Sequence, residues 1–391
     1  MTSKFTAPAK IIVTGEHSVA HGKLAVVTAI NLNCHCTIAS TSREFSEEAT
    51  TNLEFKSHFD QKLVFRNAEI AKLLESYVEI SSGAFDPPSK AQIALLADFV
   101  SKHTQKKFFL LAGQCFMHVL LSVLSEMVKS GNLINEGFLE KDLTLIMTSE
   151  VPLGAGLGSS GAVTSVLAAC ILDTFGFVSK RENEILSEDE LNRVNKLAFA
   201  AEHIVHGKPS GIDTLASCFG NSIVFENFGF KNLLEMPALE MLVVNTNQER
   251  NTKVLVEIVG QLKKDEPENF QRIISKIDVC SKAIANVLGE SSSVRMGDES
   301  FYKLSKLIRE NHALLQDLRV STRKLDEVVQ LAEKYKCAAK LTGAGGGGCA
   351  VVFMNPSADS DIGYKALKEE LEALGNEVFN VQAGCEGLRR G

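Results

Sequence analysis

No C-x-x-C pair occurs anywhere in these 391 residues, and the nine cysteines fall at irregular spacings that leave one over. That usage argues against a disulfide framework and fits reduced thiols in a cytosolic protein. The triplet Cys34-His35-Cys36 lacks a second ligand pair at metal spacing. Its alternating surroundings, INLNCHCTIAS, read instead as a strand with buried thiols. Excess positive charge is also missing: 41 Lys and Arg against 48 Asp and Glu give −7. A nucleic-acid partner is therefore not expected, and an anionic ligand would need locally placed lysines or backbone amides. The opening MTSKFTAPAKIIVTGE has neither an apolar signal core nor transit-peptide character, and the closing GLRRG is not a targeting tag. The longest apolar stretches, such as 116–128, are broken by His118, Ser122 and Ser125 and fall short of the ~20 residues that cross a bilayer. The expectation is a cytoplasmic chain with no membrane partner. There is no visible internal repeat.

What is present is the composition of an ordinary globular protein, 45% apolar and 23% charged, with room for two domains. Residues 9–39 alternate in type and predict paired strands joined at Gly15-Glu16-His17, whereas the polar stretch 40–70 carries no readable pattern. Helices are predicted at 90–101, 107–131 and 161–175, the last apolar on nearly every side, and a strand at 143–149. A charged stretch at 179–184 precedes Ser187 and Glu190, which fit a capping box. The helix they open carries Leu191, Val194, Ala198, Ala201 and Val205 at three- and four-residue steps and stops at Gly207, with Pro209 beyond. Further on come a strand at 239–247, helices near 252–263, 267–289, 299–316 and 322–336, two strands around 343–348, a helix near 358–374 and a closing strand near 376–382. The pattern is α+β, with a soft boundary near 226–238 that divides the chain into 1–230 and 231–391.

The stretch VPLGAGLGSSGAV, 151–163, places a glycine-rich loop ahead of the apolar helix. Gly156-x-Gly158-x-x-Gly161 matches the dinucleotide fingerprint, but it lies mid-chain with no βαβ start. A P-loop reading fails because serine stands where lysine is required. A third reading needs no lysine: close backbone approach, several amides aimed at one spot and a helix N-terminus hold phosphate. A neighbouring serine then serves Mg²⁺. On its own the loop divides evenly between that cradle and a tight turn capped by serine. Glu202 adds a second sign. It falls between Ala198 and Val205 on the apolar stripe, and an inward carboxylate needs a cation or a metal beside it.

Four motifs occur in order: APAKIIVTGEHSVAHGK (7–23), the loop at 151–161, HGKPSGIDTLAS (206–217) and KLTGAGGGGCAVVF (340–353). Together with RNT at 250–252, this set resembles the GHMP small-molecule kinases, and within them the branch that phosphorylates mevalonate. The resemblance implies an N-terminal ribosomal-protein-S5-domain-2-like domain and a ferredoxin-like C-terminal domain, with ATP and Mg²⁺ used to phosphorylate the primary hydroxyl of mevalonate. It implies a cradle for the ATP phosphates from Pro152, Gly154, Ala155, Gly156, Leu157, Gly158, Ser159 and Ser160. Mg²⁺ falls to Ser160 and Glu202. Asp213 becomes the base facing the hydroxyl, paired with Lys10, whose charge stabilises the developing alkoxide and the γ-phosphoryl group. Glu16, His17, Ser210, Thr252 and Gly345 become substrate contacts, and the 343–348 loop lies by the phosphates or closes the cleft. His203 and His206 read as structural, and a homodimer is a family expectation.

Rival readings are a GHMP kinase for phosphomevalonate, galactose or homoserine, a nucleotide-binding regulator without turnover, and a Rossmann dehydrogenase. Retention of Lys10, Ser160, Glu202 and Asp213 argues against the regulator. No extra basic cluster stands near the motifs to suit phosphomevalonate. The sequence departs from the family at Ala9, usually glycine, at Gly161, where alanine is common, and at Val163, tyrosine in some members. Gly161 in a first turn costs about 1 kcal/mol of helix stability.

Overall fold

In the computed structural model, residues 2–42, 48–57, 60–81, 83, 85–131, 138–152, 154–179, 186–234, 237, 239–290, 296–355 and 360–391 are described. Most of the charged stretch at 179–184, the beginning of the helix expected near 358 and Leu153 of the glycine loop lie outside them.

The amino-terminal half is built on β1 (Thr2–Thr14) and the 18-residue β2 (Ala25–Ser42). The length of β2 lets it hold three partners. It pairs β1 along residues 26–39, β5 (Lys141–Ser149) along residues 34–42, and β6 (Ser222–Glu226) along residues 25–28. β3 (Thr50–Phe55) and β4 (Gln61–Arg66) extend the far side, and β7 (Gly229–Leu234) adds to β6. Every pairing in this sheet is antiparallel except β3 with β5. A parallel pair needs a long crossover, and this one is made by α1 (Asn67–Glu79), α2 (Lys90–Ser101) and α3 (Lys107–Lys129).

α3 is long and apolar enough to cross a membrane by length and composition, contrary to the expectation for 116–128. Here it serves as a core helix, because Gly113–Ser125 are buried on every face. α4 (Ser159–Thr174) is equally enclosed, with Ala162 and Thr164–Asp173 all buried. α5 (Glu188–His206) carries the predicted capping box and ends at Gly207. The short α6 (Ile212–Phe219) packs on α4.

The second sheet consists of β8 (Glu240–Asn245), β9 (Ala338–Leu341), β10 (Cys349–Phe353) and β11 (Glu377–Gln382) in the order β11-β8-β10-β9, all antiparallel. That order, with helices between the first and second and between the third and fourth strands, is ferredoxin-like. The helices are α7 (Thr252–Asp265), α8 (Pro267–Glu290), α9 (Asp298–Asp317), α10 (Arg323–Lys334) and α11 (Ser360–Ala373). The division placed at 230/231 falls inside β7. The chain end also returns to the first sheet, where β12 (Arg389–Arg390) pairs β1.

Alternation along the strands fastens the two halves. Leu242, Val244, Ala350 and Val352 point to the helices, while Met241, Val243, Val351 and Phe353 join the core shared with the first domain. On β9, Ala339 and Leu341 face the helices. The intervening Lys340 and the following Thr342 meet the first domain, where the Thr342 hydroxyl accepts from Ile12 N at 2.9 Å and donates to Ile12 O at 3.0 Å.

Candidate active site

The glycine loop is pinned from beneath. Ala155 and Leu157 are buried, and the Leu157 carbonyl accepts a hydrogen bond from Lys10 N at 2.9 Å. Gly158 takes the left-handed conformation (φ 71°) that only glycine adopts without strain, and α4 begins immediately after it. The first intrahelical bond is donated by Ala162 N to Gly158 O, and no side chain caps the helix among the described residues. The amides of the first turn are thus left for a ligand, as an anion site at a helix start requires.

Lys10 and Asp213 meet above this turn. The Lys10 Nζ lies 3.1 Å from Asp213 Oδ1, with the lysine buried and the aspartate about one-third exposed. A methyl group added at Gly158 would come within 2.9 Å of Lys10 Cγ and 3.5 Å of Asp213 Cγ, so the pair lies directly on the loop. Asp213 is at the same time a first-turn acid of α6. Gly161 acquires a reason here: a Cβ would meet Asp213 Cβ at 2.8 Å and its carbonyl carbon at 2.9 Å. Glycine at this position lets α6 bring Asp213 down to the loop.

Beside the pair, Glu202 presents its carboxylate almost fully buried, with a side chain 2% exposed. The Ser160 hydroxyl donates to Glu202 Oε2 at 3.0 Å, and the Thr164 hydroxyl reaches Oε1 at 3.5 Å. His206, read from sequence as structural, meets this group. Its Nε2 lies 3.2 Å from Ser160 Oγ and 3.4 Å from Glu202 Oε2, and its pKa is raised by the hydrogen bond and charge of Glu202 against the effect of burial. His203 keeps a structural role, with Nδ1 on the Phe199 carbonyl at 3.0 Å. A buried carboxylate and a hydroxyl at the mouth of the glycine turn suit Mg²⁺, which takes one or two protein oxygens and completes its shell with other oxygens.

The expected substrate residues separate. Glu16 is not open to a cleft: it is fully buried in an ion pair with Lys340, which also donates to Leu341 O at 2.7 Å. Burial raises the Glu16 carboxyl and lowers the Lys340 ammonium, each opposed by the other's charge. Among the described residues, Oε2 of Glu16 has no hydrogen-bond partner. His17 joins its Nε2 to Ala344 O of the second glycine loop at 2.9 Å, and burial lowers its pKa, so it bonds as a neutral donor. His21 packs edge-on against Phe270. Gly345 lies against the Val320 carbonyl, 2.1 Å from where its Cβ would stand, which gives it a packing role. Ser210 is exposed, with its hydroxyl accepting from Ile212 N at 3.4 Å, and Thr252 is the exposed first residue of α7.

Arg250 is the residue the sequence reading passed over. Its Nε donates to Gly154 O at 3.0 Å, and its guanidinium fills the space left by Gly156 and Gly343, bridging the two glycine loops. Its signal stands in the RNT triplet at 250–252, beside Thr252. Next to Ser159 and Ser160 opens an apolar pocket of about 180 Å³, lined by Leu53, Phe55, Phe108, Met147 and Val163 among others. Val163, at a position that is tyrosine in some members of the family, contributes an aliphatic wall.

The model of the GHMP kinase N-terminal domain matches residues 120–221, and that of the GHMP kinase C-terminal domain matches 296–373. A mevalonate kinase of Arabidopsis thaliana is 31% identical over 394 residues, covering 100% of this chain and 99% of its own. In fold, the Methanococcus jannaschii mevalonate kinase aligns with a TM-score of 0.70 at 21% identity, covering 97% of this chain and 98% of its own. The L. major mevalonate kinase aligns at 0.68 and 20% identity, covering 98% and 96%. Likeness over the full length of both chains, on a fold that gathers Lys10, Asp213 and Glu202 around one glycine turn, makes this chain a member of the GHMP kinases, in their mevalonate kinase branch.

Proposed function

We propose that this protein transfers the γ-phosphoryl group of ATP to the primary hydroxyl of mevalonate. The observation that carries the reading is the convergence of Lys10 and Asp213 on Gly158, the residue that opens α4. Phosphoryl transfer asks the protein chiefly for position and charge, and each part has a place here. The first-turn amides of α4 receive phosphate oxygens, and the apolar pocket beside Ser159 receives the flat base. Ser160 and Glu202 would hold Mg²⁺, which would supply neutralisation of phosphate charge. Asp213, partly exposed, accepts the hydroxyl proton. Lys10 and Arg250 offset the charge that grows on the attacking and transferring oxygens.

The L. major relative was solved in complex with R-mevalonate, which supports the choice of acceptor. The test is ATP consumption against mevalonate, phosphomevalonate, galactose and homoserine, with Asp213→Asn alongside. Turnover is expected on mevalonate alone, and loss of the general base lowers kcat by about 10²-fold or more. Undiminished turnover in Asp213→Asn removes it from the mechanism, and preference for another acceptor moves the chain to another branch.

A further inference from the structure

We propose that Thr342 is a positioning residue for phosphoryl transfer: its hydroxyl, hung on the backbone of β1, sets Arg250 over the glycine turn. This rests on the reading of Arg250 as a charge that serves the transferring oxygens.

The edge of β1 that faces away from β2 begins with β12. With the two-residue period of a strand, even-numbered residues present their backbone groups along that edge. Each is taken by a different part of the chain. Lys4 O accepts from Gly391 N at 2.9 Å, Pro8 O accepts from the Ser217 hydroxyl at 2.9 Å, and Lys10 N donates to Leu157 O at 2.9 Å. Ile12 comes last, and there the amide and the carbonyl are both bonded to the one oxygen of Thr342, at 2.9 and 3.0 Å. A hydroxyl accepts and donates at a single atom, whereas valine of the same shape does neither. Thr342 is fully buried, so valine would leave both backbone groups of Ile12 without that partner.

From Thr342 the connection to Arg250 runs through the backbone. Thr342 N donates to Cys349 O at 3.0 Å and so closes the base of the 343–348 loop. Gly348 O accepts from Thr246 N at 2.9 Å and from the Thr246 hydroxyl at 2.8 Å, and Gly348 N donates to Gln248 O at 3.0 Å. Thr246 and Gln248 lead directly into Arg250. A Cβ at Gly343 would stand 3.1 Å from Arg250 Nη1, and one at Gly348 would stand 3.0 Å from Arg250 Cδ and 2.9 Å from Ala155 O. The base of the second loop is thus seated against both the arginine and the first loop, and the tie to Ile12 decides how far in it sits.

The experiment compares Thr342→Val with Thr342→Ser in the full chain, each alone and combined with Arg250→Lys. Thr342→Val should lower kcat about tenfold, with the mevalonate KM changed less than about threefold. Thr342→Ser, which keeps the hydroxyl, should stay within about twofold of wild type. In the Arg250→Lys background Thr342→Val should cost less than about threefold more, because both changes act on one group. A readout apart from activity is the Arg250 Nε–H signal in ¹⁵N-resolved NMR, assigned by its loss in Arg250→Lys. Its bond to Gly154 O should protect it from exchange in wild type and Thr342→Ser but not in Thr342→Val. Should Thr342→Val not fold, Thr342→Ala, which leaves room for a water at Ile12, is read in the same way. Wild-type kcat or unchanged Nε–H protection in the valine variant overturns the proposal. So does a further loss of about tenfold on top of Arg250→Lys, which marks a role in folding alone. A chain that phosphorylates no acceptor, yet loses Nε–H protection in Thr342→Val, overturns the proposed function and leaves the hold of Thr342 on Arg250 standing.

Discussion

Lys340→Met separates two meanings of Glu16. Both partners of this ion pair are completely enclosed, one on the exit of β1 and the other on β9, 324 residues away in sequence. Methionine keeps most of the volume of lysine but strands the carboxylate, and breaking one side of a buried pair costs about 3–5 kcal/mol. That is a third or more of the about 5–15 kcal/mol that holds a protein folded. Removing both charges in Glu16→Leu/Lys340→Met restores most of the loss, because a well-packed apolar pair is often as stable as the ion pair it replaces. The single variant also has a pH signature. Burial already raises the Glu16 carboxyl above its ordinary value of 4.5, and loss of Lys340 raises it further. The deficit is therefore greatest at neutral pH and shrinks as pH falls toward 4.5, where protonation removes the stranded charge. Urea unfolding of the single and double variants at pH 5 and pH 7.5, followed by circular dichroism, reads these effects. Lys340→Met unfolding at the wild-type midpoint would refute the argument. A Glu16→Gln variant of wild-type stability with a mevalonate KM raised tenfold would return Glu16 to the substrate.

Arg250→Lys keeps the charge but loses the planar fork between the glycine loops, and kcat for ATP-dependent phosphorylation should fall about tenfold or more. Wild-type kcat would show that charge alone suffices. Gly161→Ala gains about 1 kcal/mol of helix propensity and loses about 1–3 kcal/mol to the contact with Asp213. Its melting temperature should therefore shift only a few degrees, while displacement of Asp213 lowers kcat about 10- to 100-fold; an unchanged kcat would mean that α6 yields without harm. For Glu190, partial burial opposes the charge, but donors from Ser179 N, Ser187 N and the Ser187 hydroxyl outweigh it and bring the carboxyl down to about 2. Its contribution of about 1–2 kcal/mol is complete above pH 4.5 and lost as pH falls toward 2. Wild type and Glu190→Ala should accordingly converge in stability across that window, and a constant gap would contradict the assignment.

Much of the architecture was written locally. The capping box at Ser187 and Glu190, the stop at Gly207, the all-round apolar 161–175 and the strands flanking 343–348 each follow from a short-range rule, and each appears where the rule puts it. The stretch 40–70 carries no readable pattern because β3 and β4 are short and their outward faces charged, as Glu54, Lys62 and Arg66 show. The β6–β7 hairpin and α6 escaped for the same reason of length. The return of the chain end to β1 had no signal at all, since β12 is only two residues long.

Side-chain partners are a different kind of information. Periodicity told that Glu202 faces inward, and it does, but not that His206, one turn on, faces the same hydroxyl. The motif around Glu16 marked the residue without saying that its partner comes from the other motif, on β9. Lys340 and Thr342 stand two apart on one strand face, so the rule of alternation that sends Ala339 and Leu341 to the helices sends both polar residues to β1. The glycines that follow then hold His17 through Ala344 and pack around Arg250. The conspicuous residues of the first and last motifs thus fall into two groups. Lys10 and Arg250 reach the glycine turn at 154–158, whereas Glu16, His17, Lys340 and Thr342 fix the register of one domain on the other. Because Arg250 must touch both glycine loops at once, an error in that register would move it off Gly154 before it disturbed Lys10, whose backbone is bonded to Leu157 within the first domain.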